Sequence, residues 1–398
     1  MLWTQEVHAR KKSNDLSSND VKVAPLKMST QGLAEARLIE IYQLIAKSES
    51  SAALVKAESL VSDFPNFQLA QLVYGDLLAA RIRPVKFIGD VPESQLKGSE
   101  AVLNQLRDES QLRLKALRER PVSGAMPSEF LTLSSANKHA IAIDASRSRL
   151  YLFENQSTGL KLIADFYISV GKSGLEKTSE GDLRTPLGIY FITSNIDPKK
   201  LKNFYGSGAL PINYPNILDS KRGKTGKGIW LHGTPPEQFS RPPKASDGCV
   251  VLSNPDLLQI IRTVEVRTTP VVISKRLNWV SPGTTELTKK PFETALNEWR
   301  MAKSNGNLEK VLDFYSTDFS SYGMTLPEWV PLLRNDLKKA NGREITLKNL
   351  SMLHWSDMGE TMVVTFGEVS KGKLTGPMKR QYWSLQSKQW KIFFEGVI

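Results

Sequence analysis

The only cysteine of the chain, Cys249, closes the string Ser246-Asp247-Gly248-Cys249 and follows His232 by 17 positions. A thiol becomes a strong nucleophile when a neighbouring base takes its proton, and an imidazole is the usual partner near neutral pH. With no second cysteine, an internal disulfide is excluded, and a zinc site would have to be built without a second thiolate. The plain alternative is a small buried hydrophobe ahead of the apolar Val250-Val251-Leu252. No HExxH, CxxC, phosphate-loop or dinucleotide glycine pattern occurs. His8, His139 and His354 offer no competing site, so no metal and no organic cofactor is expected.

Several elements must position this pair. Residues 136–144 and Arg149-Leu150-Tyr151-Leu152-Phe153 read as two alternating strands joined by a short polar turn. Thr185-Pro186-Leu187-Gly188-Ile189-Tyr190 and Tyr205-Gly206-Ser207-Gly208-Ala209 follow, and Trp230-Leu231 reads as a strand leading into the His232-Gly233 turn. Taken together with the Ser-x-Gly-Cys group, these pieces resemble the L,D-transpeptidase catalytic domain of the YkuD or ErfK type over about residues 136–275.

The resemblance implies a mostly β, sandwich-like domain acting on the stem peptides of bacterial peptidoglycan. In such enzymes the amide between the diamino acid at stem position three and the D-alanine at position four is attacked. Cys249 would form the thioester, and His232 would be the base and then the acid. The backbone carbonyl of Gly233 would fix the imidazole tautomer. Backbone N–H groups of Asp247, Gly248 and Cys249 would receive the oxyanion. Gly248 has its own reason to be glycine, because a turn that aims successive N–H groups at one point often needs a positive φ. Tyr214, Ser246 and Trp230 are the expected substrate-binding residues, with packing or loop bracing as their plainer roles.

The chain departs from the pattern at two positions beside the nucleophile. Asp247 stands where a second histidine is common, and Val251 where an arginine or asparagine is frequent. A carboxylate aimed at the sulfur would raise the thiol pKa, so Asp247 is expected to point away or to pair with a cation. Loss of the arginine leaves Ser253, Asn254 or a lysine to hold a substrate carboxylate or carbonyl, and puts the acyl acceptor in question.

With 398 residues and 40% hydrophobic content, the chain divides into several units. Residues 1–28 read as a flexible lead and 29–118 as helical. Within the helical stretch, Ala52 to Leu78, broken at Phe64-Pro65-Asn66, resembles a tetratricopeptide-type hairpin. Linkers are expected at 119–135 and 276–290. Residues 291–398 read as two helices followed by strands at about 345–353, 361–369, 379–386 and 389–395, an α+β cone. Trp299, Asn305-Gly306-Asn307, Phe314-Tyr315 and Trp390-Lys391-Ile392 give this region a resemblance to NTF2-like domains. The combination is similar to cell-shape-determining L,D-carboxypeptidases of helical bacteria. An independently folded C-terminal cup would leave the chemistry within residues 29–290.

The net charge of +12 has two readings. Lys172, Lys177, Arg184, Lys199, Lys200, Lys202, Lys221, Arg222, Lys224 and Lys227 could form a basic rim that concentrates an anionic wall polymer, or a solvated surface. No nucleic-acid-binding pattern accompanies the charge, and no run of about 18 apolar residues could span a bilayer. The helical region reads as a small bundle packed on the enzyme or as a module for a protein partner, and the NTF2-like region as a unit for ligand binding, substrate positioning or a protein contact. The substrate implies the periplasm, yet Met1 to His8 holds no apolar signal core, so an export signal is expected upstream of this chain. Three functions therefore compete: a stem-peptide L,D-transpeptidase, an L,D-carboxypeptidase that trims tetrapeptides to tripeptides, and an inactive wall-bound scaffold.

Overall fold

Both phases of the period-two alternation are apolar in the central strands, which requires a sheet covered on both faces. The computed structural model describes residues 32–92, 98–340 and 342–398; the lead expected at 1–28 lies outside the described residues. A five-stranded mixed sheet runs in the order Gly159–Tyr167, Arg149–Gln156, His139–Asp144, Pro270–Ser274, Gly188–Phe191. Pro270–Ser274 lies parallel to His139–Asp144, and the other neighbours are antiparallel. Ile141, Ile143, Leu150, Leu152, Val271 and Ile273 face one core, which they share with Leu252 and with Leu210, Leu231 and Val250 of a three-stranded sheet, Val250–Val251, Trp230–His232 and Ala209–Pro211. This is the sandwich-like catalytic unit.

The opposite phase, Ala140, Ala142, Tyr151, Phe153, Ile189, Phe191 and Val272, packs on Leu353, Trp355, Val363, Tyr382 and Phe393 of the C-terminal sheet. That sheet runs Gln389–Val397, Met378–Gln386, Glu360–Ser370, Ile345–Ser356, Phe130–Thr132. Its far face closes on the helices through Phe292, Leu296, Trp299, Met362, Phe366 and Trp383, the α+β cone. Helix Glu286–Ser304 starts before the expected 291 and carries Pro291 inside its first turns.

Two expectations are corrected. Residues 119–135 are not a free linker: Met126–Pro127 pairs with Trp279–Val280, and Phe130–Thr132 forms the edge strand of the C-terminal sheet. The stretch 276–290 likewise carries Trp279–Val280 and the start of a helix. Strands of two or three residues show no alternation to read; only their long-range partners define them.

The helical region comprises α1 (Leu33–Ala46), α2 (Ser50–Asp63), α3 (Gln68–Ala79) and α4 (Glu100–Arg118), with the break between α2 and α3 at Phe64 to Phe67. It is joined to the catalytic sheet by buried charges. Arg149 reaches both Glu35 oxygens at 2.8 and 2.7 Å and Asp165 at 2.6 Å. Arg113 binds Glu35 at 2.9 Å and Glu109 at 2.7 Å, and its guanidinium lies 4.0 Å from the Tyr167 ring centroid. Phe239 of the catalytic unit belongs to the helical core, stacked 4.1 Å from Phe67.

Candidate active site

Parallel pairing sets Val250 beside Leu231 and Val251 beside His232. Leu231, Val250 and Leu252 point into the core, so His232 and, two residues before Val251, Cys249 occupy the opposite face. His232 is 1% exposed, and Cys249 is half-buried. The His232 Nδ1 lies 2.7 Å from the Gly233 carbonyl. A carbonyl only accepts, so Nδ1 carries the proton and Nε2 offers its lone pair. Burial lowers the His232 pKa to about 4, with the Gly233 bond opposing and the charge of Arg241 adding to the fall. Burial raises the Cys249 thiol, against the Trp230 N–H and the positive charge of Arg241, while Asp247 adds to the rise. At neutral pH Cys249 thus rests as a thiol and His232 as a neutral imidazole, with the thiol donating to the Gly228 carbonyl at 3.4 Å.

The nucleophile loop is pinned from two sides. Ser246 Oγ accepts from the Gly248 N–H at 3.1 Å and donates to the Cys249 carbonyl at 2.6 Å. Thr185 Oγ1 donates to the Gly248 carbonyl at 2.9 Å and accepts from the Gly171 N–H at 2.8 Å. Gly248 has φ +121°, and a Cβ there would lie 2.7 Å from the Arg184 carbonyl oxygen. Here the left-handed backbone and the close approach both demand glycine.

These contacts change several expected roles. The Gly248 N–H is engaged by Ser246, so Gly248 serves as a conformational pivot rather than as a free donor. Ser246, 1% exposed, braces the loop and does not face substrate. Tyr214 is 5% exposed, belongs to the catalytic core and donates to the Thr225 carbonyl at 3.1 Å; it packs rather than lining a channel. Trp230 is half-buried on the His232 face, 4.9 Å from the Tyr205 ring. The Asp247 carboxylate points outward to Lys172 at 2.9 Å.

The residues offered in place of the missing arginine are otherwise occupied. Ser253 caps helix Asn254–Thr263 through the Asp256 N–H. Asn254 clamps two loops, accepting from the Ser207 N–H at 2.8 Å and donating to the Thr234 carbonyl at 2.9 Å. That clamp needs Gly206 at φ +61°, since a Cβ there would fall 2.3 Å from the Thr234 oxygen. Five of the ten rim cations are also paired: Lys172, Lys177 with Asp182 at 2.7 Å, Lys221 with Asp318, Arg222 with Asp357 at 3.1 Å, and Lys224 with Asp219 at 2.9 Å. The rim is therefore partly structural, and Lys221 and Arg222 tie the catalytic unit to the C-terminal domain.

Three residues near the pair carried no role in the sequence reading. Tyr205 lies edge-on to His232 at 5.0 Å, and Phe204 lies 5.9 Å from it. Arg241 stacks on Phe204 at 4.3 Å. Tyr205 stood within a quoted motif, whereas Arg241 had no local signal. Among the described residues no group of three His, Cys, Asp or Glu side chains could hold a metal, and no helix is long and apolar enough to cross a membrane. A cleft of about 760 Å³ lies in the C-terminal domain, lined in part by Phe314, His354 and Trp390, and contains neither Cys249 nor His232.

Residues 138–273 match the L,D-transpeptidase catalytic domain family, YkuD, and residues 292–396 match the Cds6 C-terminal NTF2-like domain. The chain therefore carries an L,D-transpeptidase catalytic domain followed by an NTF2-like domain, and the first implies a peptidoglycan substrate. Among solved structures, Bd1075 of Bdellovibrio bacteriovorus is 24% identical, with 69% of this chain and 98% of that one covered at a TM-score of 0.58. Pgp2 of Campylobacter jejuni, described as a helical cell shape determining protein, is 21% identical, with 72% and 99% covered at a TM-score of 0.54. These likenesses establish a shared fold extending beyond the catalytic domain. No curated protein sequence matches significantly.

Proposed function

We propose that the protein is a cysteine-dependent acyl-transfer enzyme of the extracytoplasmic wall, an L,D-transpeptidase acting on tetrapeptide stems. The observation that carries this is the His232 tautomer: with Nδ1 bound to the Gly233 carbonyl, Nε2 is a neutral base on the same strand face as the half-buried Cys249. As the sulfur attacks the carbonyl carbon of the third stem residue, Nε2 takes the thiol proton. The oxyanion is received by N–H groups of the loop 246–249. The C–N bond then breaks, the imidazolium returns the proton to the leaving D-alanine amine, and a thioester remains. An incoming amine or water attacks the thioester, loses its proton to Nε2 and releases the thiol.

Water as acceptor gives an L,D-carboxypeptidase. The resemblance of the domain combination to cell-shape-determining L,D-carboxypeptidases favours this second reading, and the architecture shared with the cell-shape protein Pgp2 extends it to a role in cell shape. Incubation with purified tetrapeptide muropeptides, read by mass, separates the two: dimers or amine adducts mark transfer, and tripeptides mark hydrolysis. Cys249→Ala should abolish both products while the fold persists; full activity in that variant would remove the mechanism. Since the resting pair is neutral and Nε2 takes the thiol proton only during attack, activity should hold through neutral pH and fall on the acid side as the imidazole protonates. The imidazole should not protonate until the pH approaches about 4. An acid limb centred on the ordinary histidine pKa of about 6.5 would contradict the neutral pair.

A further inference from the structure

Val251 leaves an apolar side chain where an arginine or asparagine is frequent in the family pattern, and the structure brings a cation to the site from a different element, Arg241. Arg241 is 8% exposed. Its guanidinium stacks 4.3 Å from the Phe204 centroid and donates to the Phe204 carbonyl at 3.5 Å. Among the described residues no carboxylate comes within ion-pair distance of it, whereas the other buried arginines of this unit, Arg147 and Arg149, each hold at least one. A buried, unpaired guanidinium is costly unless an anion completes it. The Phe204 ring on which it stacks lies 5.9 Å from the His232 ring, so one aromatic side chain separates the guanidinium from the imidazole, and its charge is felt at both His232 and Cys249.

The loop that carries it is held from outside the catalytic domain. The Phe239 N–H donates to the Asn66 carbonyl at 3.0 Å, Asn66 Nδ2 to the Pro236 carbonyl at 2.9 Å, and Ser240 Oγ to Glu109 at 2.8 Å. Phe239 plugs the helical core between Phe64 and Phe67. From the catalytic side, Tyr167 OH donates to the Arg241 carbonyl at 2.9 Å and Ser169 Oγ to the Pro242 carbonyl at 2.5 Å. The helical region thus fixes the segment between His232 and Cys249.

We infer that Arg241 receives the free terminal carboxylate of the stem peptide, so that the helical region, through this loop, sets selectivity for peptides ending in a carboxylate. This rests on the stem-peptide reading above. A guanidinium presents paired donors to both oxygens of a carboxylate and far fewer productive contacts to a neutral amide. In turnover, the thioester-forming step would then start from a substrate whose leaving D-alanine is anchored at its carboxylate.

The test compares a tetrapeptide ending in D-alanine with the same peptide ending in D-alanine amide. Wild-type protein should prefer the acid by about 10- to 100-fold in kcat/KM, mainly through KM. Arg241→Gln should abolish that preference, and Arg241→Lys should retain part of it. Binding of the two peptides to Cys249→Ala protein reads the same preference without turnover. Phe239→Ala should shrink the preference with Arg241 still present. Equal affinity of Cys249→Ala protein for acid and amide, or an undiminished preference in Arg241→Gln, would overturn the inference. Preferential binding with no turnover by wild-type protein would instead sink the enzymatic reading and leave the carboxylate site standing.

Discussion

The two seams that flank the catalytic sheet are built from opposite materials. On the helical side, Glu35, Asp165, Arg149, Arg113 and Glu109 form a buried ionic network. On the C-terminal side, small and aromatic residues of one strand phase, Ala140, Ala142, Tyr151 and Phe153, meet Leu353, Trp355 and Tyr382. The apolar seam draws its stability from area removed from water and tolerates small shifts. The ionic seam gains little net stability from its charges, but each partner is penalised heavily if it moves out of register. The pairing assigns precision to the side that holds the loop of Arg241, and bulk adhesion to the side remote from it.

The largest effect should come from deleting residues 291–398, which strips the cover from the apolar seam. The fragment 29–290 is expected to aggregate or lose cooperative melting, despite holding Cys249 and His232. A soluble fragment that melts cooperatively and alkylates at Cys249 like the full chain would show that the catalytic sheet does not need that cover.

Breaking the ionic seam with Arg149→Met should cost about 3–5 kcal/mol, because Glu35 and Asp165 lose a shared buried partner. Urea unfolding checks it, and a loss under 1 kcal/mol would mean that water or rearrangement repairs the network. Replacement of the whole set by apolar residues should be far milder than this single change.

The smallest predicted effect sharpens the contrast through pH. Glu129, at the edge of the apolar seam, has its pKa raised to about 7 by burial, with Asp144 adding to the rise. A carboxyl raised in the folded state favours folding while protonated. Its contribution is intact below the unfolded value near 4.5 and is lost as the pH rises toward 7. The loss should reach roughly 3 kcal/mol at most. Glu129→Gln should flatten the fall in melting temperature between these pH values, and an unchanged slope would clear Glu129 of responsibility.

What the sequence disclosed followed from how local each signal is. Cys249, His232 and Gly233 stand in short contiguous motifs, and the C-terminal strands show clear alternation, so both were readable. Arg241 was not, because its surroundings are assembled from Asn66, Phe67, Glu109 and Phe204, which only the folded chain brings together. Tyr214 illustrates the converse, since an aromatic at a suggestive spacing lies in the core once its hydroxyl finds Thr225. The expected linkers failed for a related reason: Phe130–Thr132 is a strand only by virtue of its distant partner.

That partner has a temporal meaning. Phe130 pairs with Leu353, 223 residues later in the chain. At synthesis rates of about 5–20 residues per second, roughly 10–45 s separate the emergence of the two. Throughout that interval the outer phase of the catalytic strands, with Tyr151 and Phe153 at its centre, lacks its main cover from Leu353, Trp355, Val363, Tyr382 and Phe393, with Phe130 and, late, Trp279 against it. A nascent chain of this protein is thus adhesive for most of its growth, and it gains its finished surface only as its last strands arrive.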